Sequence, residues 1–415
     1  LRIAIILRFA GEGGVHICTR DVRCKILRKS TKKRVNGCGL RCLSPVKTAL
    51  QEELMTMATS SDYGLGEFAF ARGWFMIGAA GDATRIPAPI RYFGKDLVLY
   101  RGESGAPYVV DAYCPHMGAH LAKNSTSYIV RDGEHVEGES IRCPFHGWRF
   151  GPDGACNHIP YSDFIPKAAK LQTYPVVERA GILWMWHDPE GLEPDIELAN
   201  FGGHYGEPGW VEWKIDYMGD LNSHGIEIVD NMADFGHFVP IHGATDWQYF
   251  ANEFKGPHLH QYYSAGHRTL TANPEDALVL DTWYEGPGFL QSEMAGAFDS
   301  FIMISNTPVE DGVTRSWHAL MVKVHDGSRE TTDEDRALAL AYQEASRLAF
   351  AQDVEIWANK RACINPLALP ADGPYGKVRI WYRQFYNPRD KAPDIQGRVN
   401  GLTVTLDKRP GHKAA

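Results

Sequence analysis

From about residue 68, apolar and polar positions alternate in short runs, the period of two that marks half-buried strands. "DLVLYR" (96–101) and "APYVVDAY" (106–113) are β-branched and aromatic, and the "GESG" between them reads as a hairpin turn. "GFLQSEMAGAFDSFIMISNTP" (288–308) predicts further strands, with Phe, Met and Ile expected near a pocket. The period changes to 3.6 in "TTDEDRALALAYQEASRLAFAQDVEIWANK" (331–360), a long helix with Thr332 as its N-cap. Leu338, Tyr342, Ala345, Ala349, Asp353 and Ile356 recur along one stripe at steps of three or four. Asp353 is the one charged member, and an ionised carboxylate is costly to bury without a cation. Glu355 falls off the stripe and is expected in solvent.

Residues 1–54 follow neither period. They hold 12 Lys or Arg against 4 Asp or Glu, leaving 31 against 47 for the rest of the chain. Cys38 and Cys42 have an admissible zinc-knuckle spacing, but the five residues between Cys18 and Cys24 are too many. The segment reads as a disordered basic extension, or as upstream sequence translated from an early start. Met55 and Met57 precede a more ordinary domain start.

The whole chain, 415 residues with a net charge of −8 and 44% hydrophobic content, is long enough for two domains and unsuited to nucleic acid. Eight cysteines are too few for a disulfide scaffold and suit metal ligation in a reducing compartment, so the protein is expected to be cytoplasmic. No run approaches the roughly 18 apolar residues of a membrane span.

The chemistry is concentrated in two places. "YCPHMGAHLA" (113–122) and "IRCPFHGWRFGPDGACNHIPY" (141–161) each present a cysteine and then a histidine on a loop: Cys114 with His116, and Cys143 with His146. Zinc fingers pair Cys with Cys and His with His along the chain. A Rieske [2Fe–2S] cluster takes two thiolates on one iron and two imidazoles on the other, which two facing Cys-then-His loops satisfy directly. His120 fits neither spacing and reads as a polar loop residue. The intervening "STSYIVRDGEHVEGES", with Asp132-Gly133 as a turn, looks like an extra hairpin.

The second place is "EIVDNMADFGHFVPIHG" (227–243), where Asp230, Asp234 and His237 follow helical spacing. His242 lies five residues beyond His237, and Pro240 is expected to bend or end the helix so that both imidazoles converge. With Asp353 they make a two-His-one-carboxylate facial triad, the usual site of a mononuclear non-haem Fe(II).

A Rieske motif followed by D-x2-H-x4-H resembles the catalytic α subunits of Rieske non-haem iron oxygenases, and most closely the 3-ketosteroid 9α-hydroxylase oxygenase components. The likeness runs from "ARGWFMIG" (71–78) to "QDVEIWANK" (352–360), "INPL" (364–367) and "VRIWYRQFYNP" (378–388). It implies an α+β protein: an all-β Rieske domain over 68–188, then a helix-decorated antiparallel-sheet domain over 189–400 holding the mononuclear iron. It also implies a homotrimer, with Asp234 as the carboxylate bridging a cluster histidine of one subunit to an iron histidine of the next. Steroid hydroxylation is favoured. Cholesterol 7-desaturation, oxidation of a smaller aromatic substrate, and an electron-transfer subunit with an inert second site are the alternatives. The chain carries no G-x-G-x-x-G after a strand and no C-x4-C-x2-C, so a separate NAD(P)H-dependent reductase is required, with or without a ferredoxin. Cys156 and Cys363 are left as packed thiols.

Overall fold

The hairpin expected at 96–113 forms: Lys95–Arg101 pairs antiparallel with Pro107–Asp111, and Ala88–Tyr92 and Thr173–Tyr174 complete a four-stranded sheet. The computed structural model describes residues 57–409 except 269, 272, 274, 275 and 370, together with two short strands near the N-terminus. Those strands, Ile5–Leu7 and His16–Cys18, pair antiparallel within a unit spanning residues 1–50. The other readings made of 1–54, the zinc spacing included, lie outside the described residues.

Residues 51–415 form the second unit. Its N-terminal part stacks three small antiparallel sheets. The first is the hairpin sheet. The second runs Val136–Glu137, Ser140–Arg142, Arg149–Phe150 and Cys156–His158, and the third joins Gly73–Ala79, Ile182–His187 and Val176–Arg179. Val98, Tyr100, Leu121, Ile141, Phe150 and Leu171 pack into a small core that also takes Cys114 and Cys143.

The C-terminal part is a nine-stranded antiparallel sheet. Six strands follow one another as a meander: Thr245–Lys255, His258–Gly266, Ala277–Glu285, Phe289–Ala295, Asp299–Glu310 and Val313–Lys323. Four helices matter here: α1 (Tyr128–Arg131), α2 (Gly225–Val229), α3 (Asp333–Asn359) and α4 (Tyr375–Arg383). Helix α3 lies on the Ile215–Leu221 and Val313–Lys323 strands. Among the described residues no helix is long and apolar enough to cross a membrane.

Three expectations need correction. The segment 124–134 does not open as a hairpin. Asn124 Oδ1 accepts the N–H groups of Thr126 and Ser127, and this local turn nucleates the single helical turn α1, ended by Gly133 at φ +76°. The buried stripe of α3 is rotated from the one read from periodicity. Ala339, Tyr342, Gln343, Ser346, Phe350, Asp353 and Trp357 face inward, while Leu338 and Ile356 are about half exposed. Gln343 and Ser346 are polar yet buried because Gln343 Nε2 donates to Leu320 O and Glu212 O, and Ser346 Oγ meets His318 Nε2 at 3.0 Å.

The third correction concerns 227–243. Its helix breaks at 233–235, not at Pro240: α2 passes into a 3-10 turn at Asp230–Met232, and a second turn begins at Gly236. The chain coils on through the proline, since Ile241 N–H reaches His237 O and His242 N–H reaches Phe238 O. The break is held from outside, by Phe235 N–H donating to Asp372 O at 2.9 Å.

Candidate metal centres and cavity

The two Cys-then-His loops are built alike. In each, the glycine four residues after the cysteine donates its N–H to the cysteine carbonyl, Gly118 to Cys114 and Gly147 to Cys143. Each cysteine N–H then reaches the carbonyl of the next residue, Ala119 or Trp148. Both glycines have positive φ, +71° and +75°, the backbone state glycine adopts without steric cost. The cysteines end up buried side by side, and the histidines stand toward the edge, only partly buried. The His116 and His146 rings are 4.7 Å apart, and His116 lies flat on Trp148 at 4.3 Å. The two thiols share one proton: contact with the Cys114 thiol and the backbone N–H groups of Phe145 and His146 hold Cys143 below its ordinary value, while contact with Cys143 and burial push Cys114 well above its own, so thiolate is favoured at Cys143 alone. His120 is confirmed as a turn residue, its Nδ1 accepting the N–H groups of Ala122 and Lys123.

The second centre is tighter. One ligand atom each from His237, His242 and Asp353 lies within 4.8 Å of the others, the scale of a single ion. His242 Nε2 is 3.2 Å from Asp353 Oδ2, with both side chains about nine-tenths buried. Burial works against a charged His242, but the hydrogen bond and charge of Asp353, with Gln352, outweigh it and raise its pKa. His242 Nδ1 lies 3.3 Å from Gln352 Oε1, so the charged ring can donate on both sides, Nδ1–H to Gln352 and Nε2–H to Asp353, and Nε2 is the nitrogen placed to ligate a metal once it gives up its proton. His237 stands opposite, its ring 5.2 Å from His242. Its Nδ1 is 3.5 Å from Asp234 Oδ2, in ion-pair reach but outside hydrogen-bond geometry.

Asp234 is half-buried. Burial raises its pKa, yet the His237 imidazole, the Tyr375 hydroxyl and the His237 N–H together lower it, so it is a carboxylate at neutral pH. Asp230 does not join this centre. It receives Arg379 through both nitrogen positions. Lys360 is likewise committed, 2.6 Å from the buried Glu227, and Arg361 is exposed.

A cavity of about 890 Å³, counting its open mouth, begins at the triad and runs between α3 and the sheet. Leu290, Met294, Ile302, Ile304, Phe350 and Trp357 supply much of its wall. The strands read from 288–308 therefore do face the pocket, through alternate residues.

With this geometry the chain can be compared with known proteins. Residues 73–175 match the Rieske [2Fe-2S] domain, and residues 185–386 match the 3-ketosteroid 9alpha-hydroxylase C-terminal domain. A 3-ketosteroid-9-alpha-monooxygenase oxygenase component of Rhodococcus rhodochrous is 36% identical over 76% of this chain and 81% of its own length. One of Mycolicibacterium smegmatis is 34% identical over 79% and 86%. The chain belongs to the family of 3-ketosteroid 9α-monooxygenase oxygenase components. A cholesterol 7-desaturase of Xenopus laevis stands further off, 29% identical over 74% of this chain and 69% of its own. Among solved structures, the QL mutant of Pseudomonas putida CBB5 NdmA with caffeine gives a TM-score of 0.59 at 17% identity over 84% and 99%. Apo dicamba monooxygenase gives 0.56 at 17% over 79% and 97%; both speak for the fold.

The cofactors of such an oxygenase component are a Rieske [2Fe–2S] cluster and a mononuclear non-haem iron. Both donor sets suit them. The paired buried cysteines with outward histidines match a two-iron cluster, and the His2Asp set gathers three ligand atoms where one ion would fit. Sequence reasoning missed Trp148, Gln352 and Tyr375. Trp148 and Gln352 adjoin motifs already singled out; Tyr375 had no local signal.

Proposed function

We propose that this oxygenase component hydroxylates a 3-ketosteroid at C9, with residues 68–188 as its Rieske domain and 189–400 as its catalytic domain. In this reading Cys114, His116, Cys143 and His146 hold the cluster, and His237, His242 and Asp353 hold the iron. When bound, the cluster supplies electrons and the iron supplies the centre for O2 chemistry. Gln352 fixes the tautomer of His242, and the wall of Leu, Ile, Phe and Trp side chains keeps water from the reacting C–H bond.

One observation carries the substrate class: among the described residues, none that lines the cavity is Lys or Arg. A small aromatic acid would bury its carboxylate there without a cation, which is costly. A rigid polycyclic ketone asks for little polar contact. An oxygenase component draws its electrons from a separate reductase; a ferredoxin carrier would approach His116 and His146 at their exposed edge. We further read the assembly as a cytoplasmic homotrimer in which Asp234 links His237 to a cluster histidine of a second copy.

Reconstituted turnover with reductase, NADH and O2 tests the substrate. Androst-4-ene-3,17-dione should yield its 9-hydroxy product. A conjugated diene from cholesterol, with no oxygen added, would instead favour desaturation. Oxygen uptake stimulated by a benzoate and by neither sterol would overturn the steroid reading.

A further inference from the structure

His116 Nδ1 is shut away from solvent and has no hydrogen-bond partner among the described residues. A neutral imidazole nitrogen in that state keeps a lone pair for a metal. One face of the ring is covered by Trp148, which is itself buried; the two ring centres are 4.3 Å apart and the planes are 9° from parallel. A half-turn of the imidazole about its Cβ–Cγ bond would sweep ring atoms through the indole, so the stack holds Nδ1 where it is. Among the described residues, His146 has no parallel ring against it. Phe145 meets it at a tilt of 38° and is 60% exposed.

The indole is fixed in turn. Its Nε1–H donates to the Tyr161 hydroxyl at 2.8 Å, the partner that a buried tryptophan N–H requires. Tyr161 is 61% exposed, so burial of its ring does little to hold it there. The backbone before it does more. Ile159 is buried in the same small core as Trp148, and Pro160 sits so close to Gly147 that a Cβ there would come within 2.9 Å of the proline ring. The 159–161 segment is thus fastened to the second cluster loop, and its tyrosine reaches the first loop through the indole.

We propose that Tyr161 is a positioning residue for the [2Fe–2S] cluster: its hydroxyl pins the Trp148 indole against His116, which fixes the plane of that ligand and keeps water off its face. This rests on the reading above that Cys114, His116, Cys143 and His146 hold the cluster, and deepens it: the two histidines are unequal, His116 braced and His146 not. Groups behind a metal ligand orient it and tune the metal, and solvent exposure helps to set a cluster's potential. With two ferric ions, two sulfides and two thiolates the oxidised cluster is neutral. Reduction gives it one negative charge, the state that water favours. Loosening the indole therefore raises the potential.

The test compares the cluster-loaded wild type with Tyr161→Phe, Trp148→Phe and the double variant. Tyr161→Phe keeps the ring and removes only the hydroxyl, so the visible absorption of the cluster should stay at the wild-type level. At a fixed potential its ratio of reduced to oxidised cluster should rise roughly threefold, about 30 mV for one electron. Pulsed electron paramagnetic resonance of the reduced cluster separates the two histidine nitrogens, and one of the two couplings should change. Trp148→Phe has no indole N–H to donate, so adding Tyr161→Phe to it should move neither reading. Tyr161→Phe decides alone should Trp148→Phe fail to hold a cluster. A Tyr161→Phe protein with the wild-type potential and both couplings unchanged would overturn the proposal. So would an equal shift in the Trp148→Phe background, which would place the action of Tyr161 elsewhere. A reduced wild type with no histidine nitrogen coupling would overturn the ligand assignment itself, an outcome read before any variant is made.

Discussion

Asp353 and His242 approach within 3.2 Å in a space where neither is well hydrated. Each is a ligand of the proposed iron, and each is the other's charge partner without it. Asp353→Ala removes a ligand and leaves two imidazoles, too few for firm binding. The variant should lose its mononuclear iron by metal analysis and lose turnover, while the visible absorption of the cluster stays intact. Near-normal turnover would mean another carboxylate serves. Asp234 makes a different demand. It is ionised, beside His237 Nδ1, and steadied by Tyr375, but it is not one of the three ligand atoms of the triad. Asp234→Asn keeps the shape and removes the charge. Both metals should remain bound, while oxidation of the reduced cluster in a single turnover with substrate and O2 slows by orders of magnitude. Oxidation at the normal rate would remove Asp234 from the electron path.

At the scale of elements, the start of α3 was legible because its signal is local. Thr332 accepts the Asp335 N–H, and Asp335 returns a bond to the Thr332 N–H, a reciprocal capping box. Thr332→Ala should cost about 1 kcal/mol in urea unfolding, with iron content unchanged, since the cap lies far along the helix from Asp353. The inward face of α3 was not legible. Periodicity cannot separate two adjacent faces when Leu and Ile sit on the exposed one, and Gln343 and Ser346 are buried only because distant carbonyls and His318 receive them. The break at 233–235 was invisible for a similar reason: its cause lies more than a hundred residues away. Gly373 presses on Ala233, with φ at +117°, and a Cβ there would come within 1.8 Å of Ala233 O. Gly373→Ala should therefore cost roughly 1–3 kcal/mol, and should lower turnover as well by pushing the 372–375 loop off Asp234 and Phe235. A variant as stable and active as wild type would show that the loop does not hold the break.

For the whole molecule, the metal motifs were readable because cysteine and histidine pairs at short spacing are rare, whereas the joint between the two halves carries no motif. It is a continuous core. Thr307 Oγ1 donates to Met76 O at 2.6 Å, and the N–H groups of Phe93 and Gly94 reach Pro308 O and Val309 O at 2.9 Å. His187 lies on the N-terminal side of this joint: its Nδ1 bonds Ala71 O at 2.8 Å, and its ring stacks at 4.0 Å on Phe93, whose N–H crosses to Pro308 O. Burial lowers its pKa to about 4 in the folded protein, against about 6.5 for an unfolded histidine. Above about pH 6.5 the residue is neutral in both states, and its stabilising contribution is complete. As pH falls toward 4, the unfolded chain takes up a proton that the folded one refuses, so stability is lost, by roughly 3 kcal/mol at most. Below 4 both states are protonated and the loss levels off. His224 and His267, also lowered to about 4 by burial, titrate over the same window, so replacing one leaves part of the slope. Urea unfolding at about pH 7 and about pH 5 should thus show a smaller drop for His187→Gln than for wild type, even if the variant starts less stable. An identical drop in both proteins would mean that His187 is already charged in the folded protein, and that its stacking on Phe93 beside the joint does not require a neutral imidazole.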